Sequence, residues 1–201
     1  MKNIILAVLL FIFVVGCAGP NPNPGERTTD MAWTSGDYER AFKVAKPRAE
    51  SGEPWAQLRL AIFYENGWGV ERNLVKAYDW YLKTVSQKAD GAWAKGKMIG
   101  AAGPSGYFNQ NSDALIAEYN LANLYYNGEG IERDLVKSYV HINNVINESE
   151  GKSVFFCCEF SGGRAFVQSQ FLELKGKLES IMTPGQLIEA KDILNKISHN
   201  K

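Results

Sequence analysis

Ala56-Gln-Leu-Arg-Leu-Ala-Ile-Phe-Tyr-Glu-Asn-Gly-Trp-Gly-Val-Glu-Arg-Asn-Leu-Val-Lys-Ala-Tyr78 matches Ala117-Glu-Tyr-Asn-Leu-Ala-Asn-Leu-Tyr-Tyr-Asn-Gly-Glu-Gly-Ile-Glu-Arg-Asp-Leu-Val-Lys-Ser-Tyr139 without a gap. The paired glycines Gly67 and Gly128 set the offset at 61 residues. A third, partial copy lies upstream, where Asp37-Tyr-Glu-Arg-Ala-Phe42 aligns with Asn73-Leu-Val-Lys-Ala-Tyr78 at an offset of 36. Self-similarity at such a period is the signature of an array of supersecondary units, because one unit cannot bury its apolar face alone and must stack on its neighbours.

Each unit reads as two helices. After the Asn-Gly-x-Gly step of the first copy, Leu74, Ala77, Tyr78, Tyr81, Leu82 and Val85 fall at i, i+3, i+4, i+7, i+8 and i+11, an apolar stripe at the helical period that predicts burial of all six. Gly67 and Gly128 stand where a helix ends in a left-handed residue, and Asn73 and Asp134 where a side chain accepts from the N–H groups opening the next helix. Asn-Gly-x-Gly is thus the hinge of a helical hairpin. As a phosphate cradle it fails: it follows a helix, lacks the third glycine of the dinucleotide pattern and lacks the Lys-Ser/Thr of a P-loop.

The pattern Ala-x-x-x-Leu-Ala-x-x-Tyr-x-Asn-Gly-x-Gly-Val/Ile, followed by Lys-Ala/Ser-Tyr and, in the first copy, Asp79-Trp80-Tyr81, resembles the Sel1-like repeat, a relative of the tetratricopeptide repeat. Met182-Thr-Pro-Gly-Gln-Leu-Ile-Glu-Ala190 is similar to the closing helix of such proteins, with Thr183 as cap and Pro184 at the first helical position. The likeness covers roughly residues 36–88, 113–147 and 165–198, and departs from the family pattern at His141-Ile142-Asn143. It implies an all-α fold, a short right-handed α-solenoid of helical hairpins with a concave inner surface that binds protein, and a scaffold rather than a catalyst.

The 61-residue offset exceeds the 36-residue period by 25, which places an insertion at about 89–112, rich in glycine and carrying Trp93, Tyr107 and Phe108. At the same phase of the next unit, about 150–163, lies a second irregular stretch with Phe155, Phe156 and Phe160. Two insertions at one phase emerge on one edge of a solenoid, and long aromatic loops in a compact domain are usually functional or disordered. Together with the concave surface they form a candidate protein-binding site, anchored by Trp93, Tyr107, Phe108, Phe155 and Phe156. The alternative is that these loops fold inward and patch the core where stacking is interrupted.

The chain opens with Met-Lys-Asn and an apolar run from Ile4 to Val15, which suits a signal-peptide core and is shorter than the roughly 20 residues of a membrane span. Val14-Val15-Gly16-Cys17 resembles the bacterial lipobox, and the resemblance implies lipidation of Cys17 after removal of residues 1–16. An ordinary secretory signal with a chance cysteine is the alternative. Ala18, where the family's inner-membrane retention signal is Asp, implies the periplasmic face of the outer membrane. Residues 17–34, with Gly-Pro-Asn-Pro-Asn-Pro-Gly, read as a lipid-bearing, extended tether, so that the folded repeat domain is expected at 35–199.

The 201 residues hold 22 Lys and Arg against 22 Asp and Glu, which leaves no net charge to draw in a nucleic acid. Cys157 and Cys158 would face an oxidising compartment, where they form a vicinal disulfide, pair with another chain or stay buried as small apolar residues. Only His141 and His199 are present, with His141 expected on a helix surface, so no metal site, cofactor site or catalytic triad takes shape. Ser149-Glu-Gly-Lys152 spells the Ser-x-x-Lys of penicillin-binding enzymes, but the partner motifs are missing and the scaffold is wrong. The expectation is therefore a membrane-anchored protein-interaction adaptor without a small-molecule substrate. Resemblance to small periplasmic Sel1-like lipoproteins implies the alternative of an immunity protein that neutralises a secreted toxin such as a type VI phospholipase effector.

Overall fold

The computed structural model describes residues 24–86, 112–149, 154–155, 165–166 and 168–199. They form α1 (Pro24–Thr34), α2 (Tyr38–Glu50), α3 (Pro54–Asn66), α4 (Leu74–Ser86), α5 (Ser112–Asn127), α6 (Leu135–Glu148), β1 (Val154–Phe155), β2 (Ala165–Phe166), α7 (Gln168–Ile181) and α8 (Pro184–His199). Each helix packs on the next in sequence as far as α7, α3 also meets α5, and α6 is covered by both α7 and α8. This is the stack of helical hairpins expected of an α-solenoid.

The caps follow the chemistry of the repeat. Gly67 and Gly128 end α3 and α5 at φ of 73° and 72°, with their N–H groups on the carbonyls of Phe63 (2.8 Å) and Leu124 (2.9 Å). Asp37, Asn73 and Asp134 then open α2, α4 and α6 by accepting from the N–H groups of Arg40, Lys76 and Lys137 at 3.2, 2.9 and 2.9 Å. At α8, Thr183 and Gln186 form a reciprocal capping pair, Thr183 N–H to Gln186 Oε1 at 3.0 Å and Gln186 N–H to Thr183 Oγ1 at 3.3 Å. Arg72 and Arg133, two residues of the repeat with no role assigned by pattern alone, donate from Nε to the carbonyls of Glu65 and Tyr126, both at 2.9 Å, and so satisfy the open carbonyl ends of α3 and α5.

The second glycine of Asn-Gly-x-Gly works between units. A Cβ on Gly69 would fall inside the Tyr38 carbonyl, and one on Gly130 inside the Leu74 side chain. Tyr38 and Leu74 are equivalent positions, each the first residue of the preceding unit's second helix. The first glycine therefore turns the chain, and the second lets the turn lie against the unit before it.

Three expectations are corrected. Residues 24–34, assigned to the tether, are helix α1, which packs on α2. Its buried face is Gly25, Thr29, Asp30 and Ala32, with Gly25 so close to Arg48 that any Cβ would overlap the guanidinium. These small and polar residues carry no apolar periodicity. On α4, Leu82 is 37% exposed and Thr84 takes the buried place beside Ala77 and Tyr81, because α4 is wedged between α3 and α5 and turns a narrower face inward than the six-residue stripe implies. The second insertion also departs from irregular chain: Val154 pairs with Phe166 and Phe155 with Ala165 in an antiparallel ladder, and β1 packs against α5.

Candidate partner-binding surface

Of the residues singled out from sequence, Cys17, Trp93, Tyr107, Phe108, Phe156, Cys157 and Cys158 lie outside the described residues. Phe155 is in β1, whose backbone runs against the first helix of the second full unit. That part of the second insertion thus lies on the array instead of projecting from it. Ser149 is buried at the C-terminal cap of α6, where its N–H bonds the Val145 carbonyl at 2.9 Å and its hydroxyl donates to Ile146 O at 3.2 Å, so it serves the helix end. His141, expected on the helix surface, is half-buried where α6 packs on α5, its ring stacked on Tyr125 with ring centres 5.8 Å apart at 9°. Among the described residues, no three His, Cys, Asp or Glu side chains converge as a metal site and no helix is long and apolar enough to cross a membrane.

Helices α3 and α5 offer little open surface. Every residue of α3 from Trp55 to Ala61 is buried, as is every residue of α5 from Ala114 to Glu118. The burial includes charge: Arg59 donates to Asp30 Oδ1 from Nε at 3.1 Å and from Nη2 at 2.7 Å, with the two side chains 1% and 3% exposed. The Arg59 guanidinium also lies over the Trp33 ring at 5.6 Å. Burial raises the Asp113 carboxyl above its ordinary value; Arg59 opposes that rise and the Asp30 charge reinforces it. One guanidinium thereby ties α1 and α3 together and acts on the start of α5.

Tyrosines register the units. Phe42 meets Tyr64 edge-on at 5.6 Å and 88°, and the equivalent pair Tyr78 and Tyr125 meets at 5.7 Å and 87° with hydroxyls 2.7 Å apart. At the third junction Tyr139 donates to Glu179 on α7 at 3.0 Å. Tyr81 donates to Glu65 and accepts from Asn120 Nδ2 at 3.0 Å, which links α4, α3 and α5. Burial pushes the Glu65 carboxyl up, while the Tyr81 hydrogen bond and Arg72 pull it back.

Among the repeat hairpins, open surface remains on the second helices α2 and α4. Along α2 lies a groove of about 630 Å³ lined by Phe42, Pro47 and Gly69 together with Glu39, Lys43, Lys46 and Glu50. On α4 the apolar side chains of Val75 and Leu82 are 54% and 37% exposed. Beside Leu82, Lys83 places its ammonium 3.9 Å from the centre of the Trp80 ring. Periodicity alone misassigns Leu82 to the core, and nothing in it singles out Val75. The signal that could have found them is the comparison of equivalent positions: 75 and 82 match 39 and 46, which are Glu and Lys.

The Sel1 repeat family pattern matches residues 56–88 and 115–141, the two hairpins α3–α4 and α5–α6. A curated relative, the chitin synthase regulator SKT5 of Saccharomyces cerevisiae, is 40% identical over 52 residues, which is 26% of this chain and 8% of the yeast protein. Among solved structures, c5321, a protective antigen of uropathogenic Escherichia coli strains with an SLR fold, aligns at a TM-score of 0.59 and 18% identity over 86% of this chain and 28% of its own. A Sel1 repeat protein from Oxalobacter formigenes aligns at 0.46 and 22% identity, over 62% of this chain and 40% of its own. This chain therefore spans less than half the length of each of these proteins.

Proposed function

We propose, on the premise that the chain carries two Sel1 repeats, that it is a membrane-tethered protein-interaction module. The observation that carries this reading is the stacked repeat array itself, in which α3 and α5 are largely consumed by the core while α2 and α4 keep an apolar and charged surface open to solvent. Stacked hairpins build extended surfaces whose shape is fixed by neighbour packing, a geometry suited to holding another protein.

The tether rests on Val14-Val15-Gly16-Cys17, and its length follows from where the helices begin. Pro24 starts α1 seven positions after Cys17. At about 3.5 Å per residue, the folded array stands no more than about 25 Å from a lipid held on Cys17. Three acyl chains hold a protein at a bilayer firmly, since each buried methylene contributes about 0.8 kcal/mol. With Ala18 after the lipidated residue, the reading places the module on the periplasmic face of the outer membrane.

Two measurements test the two halves. Labelled palmitate should enter the wild-type chain and be absent from Cys17→Ser; equal labelling removes the anchor. The anchored chain, captured from solubilised membranes, should bring down one protein in stoichiometric amount that also binds it after purification. A chain that retains none removes the interaction reading.

A further inference from the structure

The second helices repeat one surface at one phase. At the 36-residue offset, position 39 corresponds to 75, 42 to 78, 46 to 82 and 47 to 83, and α2 and α4 both pack on α3. On α2 this phase is the groove over Phe42 and Pro47. On α4 it is the strip of Val75 and Leu82 with Trp80 and Lys83 alongside. One unit further on, the equivalents of Asp79 and Leu82 are Val140 and Asn143, which are 9% and 7% exposed, on a helix packed by both α7 and α8. The face is open on α2 and α4 and narrower on α6, where Val136 is half-buried and Lys137 stays exposed but the following turns are covered, with α7 and α8 of the same chain against the helix.

That internal arrangement indicates the shape of what fits. Val75 and Leu82 are seven residues apart on a helix, about 10 Å along its axis, which is the spacing of apolar anchors on a partner helix. The charge indicates its sign. Lys43 is held by Glu39 at 2.7 Å, but Lys46 reaches Glu50 only at 4.0 Å. Lys76 and Lys83 rest over the rings of Tyr64 (5.2 Å) and Trp80 (3.9 Å) and make no ion pair among the described residues. Asp79 is the one carboxylate between them on α4, so the strip carries two ammonium groups to one carboxylate. An ammonium over the Trp80 ring beside exposed aliphatic side chains combines apolar area and an aromatic of the kind enriched at interface anchors with a charge that selects its partner.

We propose that this face docks an acidic amphipathic helix of the partner protein, its apolar side chains on Val75 and Leu82 and its carboxylates on Lys76 and Lys83. The inference rests on the interaction-module reading and specifies its surface and the chemistry of what it holds.

The test uses the full chain in detergent and a synthetic helical peptide of about 18 residues, five turns, with Leu on one face and Glu on its flanks. Its counterpart carries Lys in place of Glu. Fluorescence anisotropy should show the acidic peptide binding, the basic one at least about tenfold more weakly, and the difference shrinking as salt is raised. Leu82→Asp and, separately, Lys83→Glu should each weaken the acidic peptide by about tenfold without lowering the melting temperature, and Ile188→Asp on α8 should leave it unchanged. The inference is overturned if neither peptide binds, if both bind alike, or if the α4 variants bind as the wild type does. A natural partner captured equally by wild type and Lys83→Glu overturns this face and leaves the interaction reading intact, whereas a wild-type chain that captures nothing removes that reading itself.

Discussion

Replacing Asp30 by Ala separates the two accounts of residues 24–34. If they were tether, the change would fall within about 0.5 kcal/mol, as surface substitutions do. In the structure Asp30 is 3% exposed and receives two hydrogen bonds from a guanidinium that is 1% exposed. Removing one partner of such a pair costs about 3–5 kcal/mol, because the remaining charge stays buried. The low end applies here. Arg59 favours the ionised form of Asp113 and Asp30 disfavours it, so in Asp30→Ala the Asp113 carboxylate takes over part of the compensation. The expected loss is about 3 kcal/mol, and at 2–4 °C per kcal/mol for a chain of this size the melting temperature should fall by about 6–12 °C. Urea denaturation of the Cys17→Ser chain measures it directly, and a double cycle with Arg59→Ala should show strong non-additivity. A loss below about 0.5 kcal/mol, or additive losses, would refute the reasoning and return α1 to the tether.

Gly130→Ala should cost more than a capping change alone. Its left-handed φ of 73° is strained for alanine and its Cβ would overlap Leu74, so a loss above about 1 kcal/mol is expected, with Gly176→Ala, which has open space at a helical site, neutral or stabilising. Tyr78→Phe should destabilise by about 1 kcal/mol through loss of the hydroxyl pair with Tyr125, and a thermal melt of Tyr78→Phe with Tyr125→Phe should recover part of that, since both partners are then apolar. Glu65 has a folded value raised above its ordinary 4.5 by burial, so its contribution to stability is fully present below the unfolded value and is lost as pH rises through the folded one. Glu65→Gln, which still accepts from Tyr81, should therefore gain stability relative to wild type across that rise; a stability difference independent of pH in urea titrations would contradict the burial.

The hairpins were legible because each of their elements is stated twice in the chain. Gly67 with Gly128 and Asn73 with Asp134 carry cap chemistry that needs no tertiary context, and Thr183-Pro184 does the same for α8. Helix α1 was not legible, because what holds it is a buried ion pair to a residue 29 positions away and a glycine under Arg48, neither of which leaves a periodic trace. The open outer face was hidden for the opposite reason. Leu82 satisfies the helical period of a core residue, and only the packing of α4 between α3 and α5 decides that Thr84 is buried in its stead. Trp93, Tyr107 and Phe156 stand out in the sequence as loop aromatics, whereas Trp33 and Tyr38 are too far from Trp68 along the chain for any local pattern to join them. Those three form a cluster at the α1–α2 turn, Trp68 stacked on Tyr38 at 5.2 Å and edge-on to Trp33 at 5.1 Å.

The most direct measurement is reversible binding between the purified, lipidated chain and the protein captured with it from membranes, titrated with wild type and with Leu82→Asp. The account predicts a saturable one-to-one complex with the wild type and at least about a tenfold loss of affinity in the variant, at unchanged melting temperature. No saturable binding by the wild-type chain would contradict it.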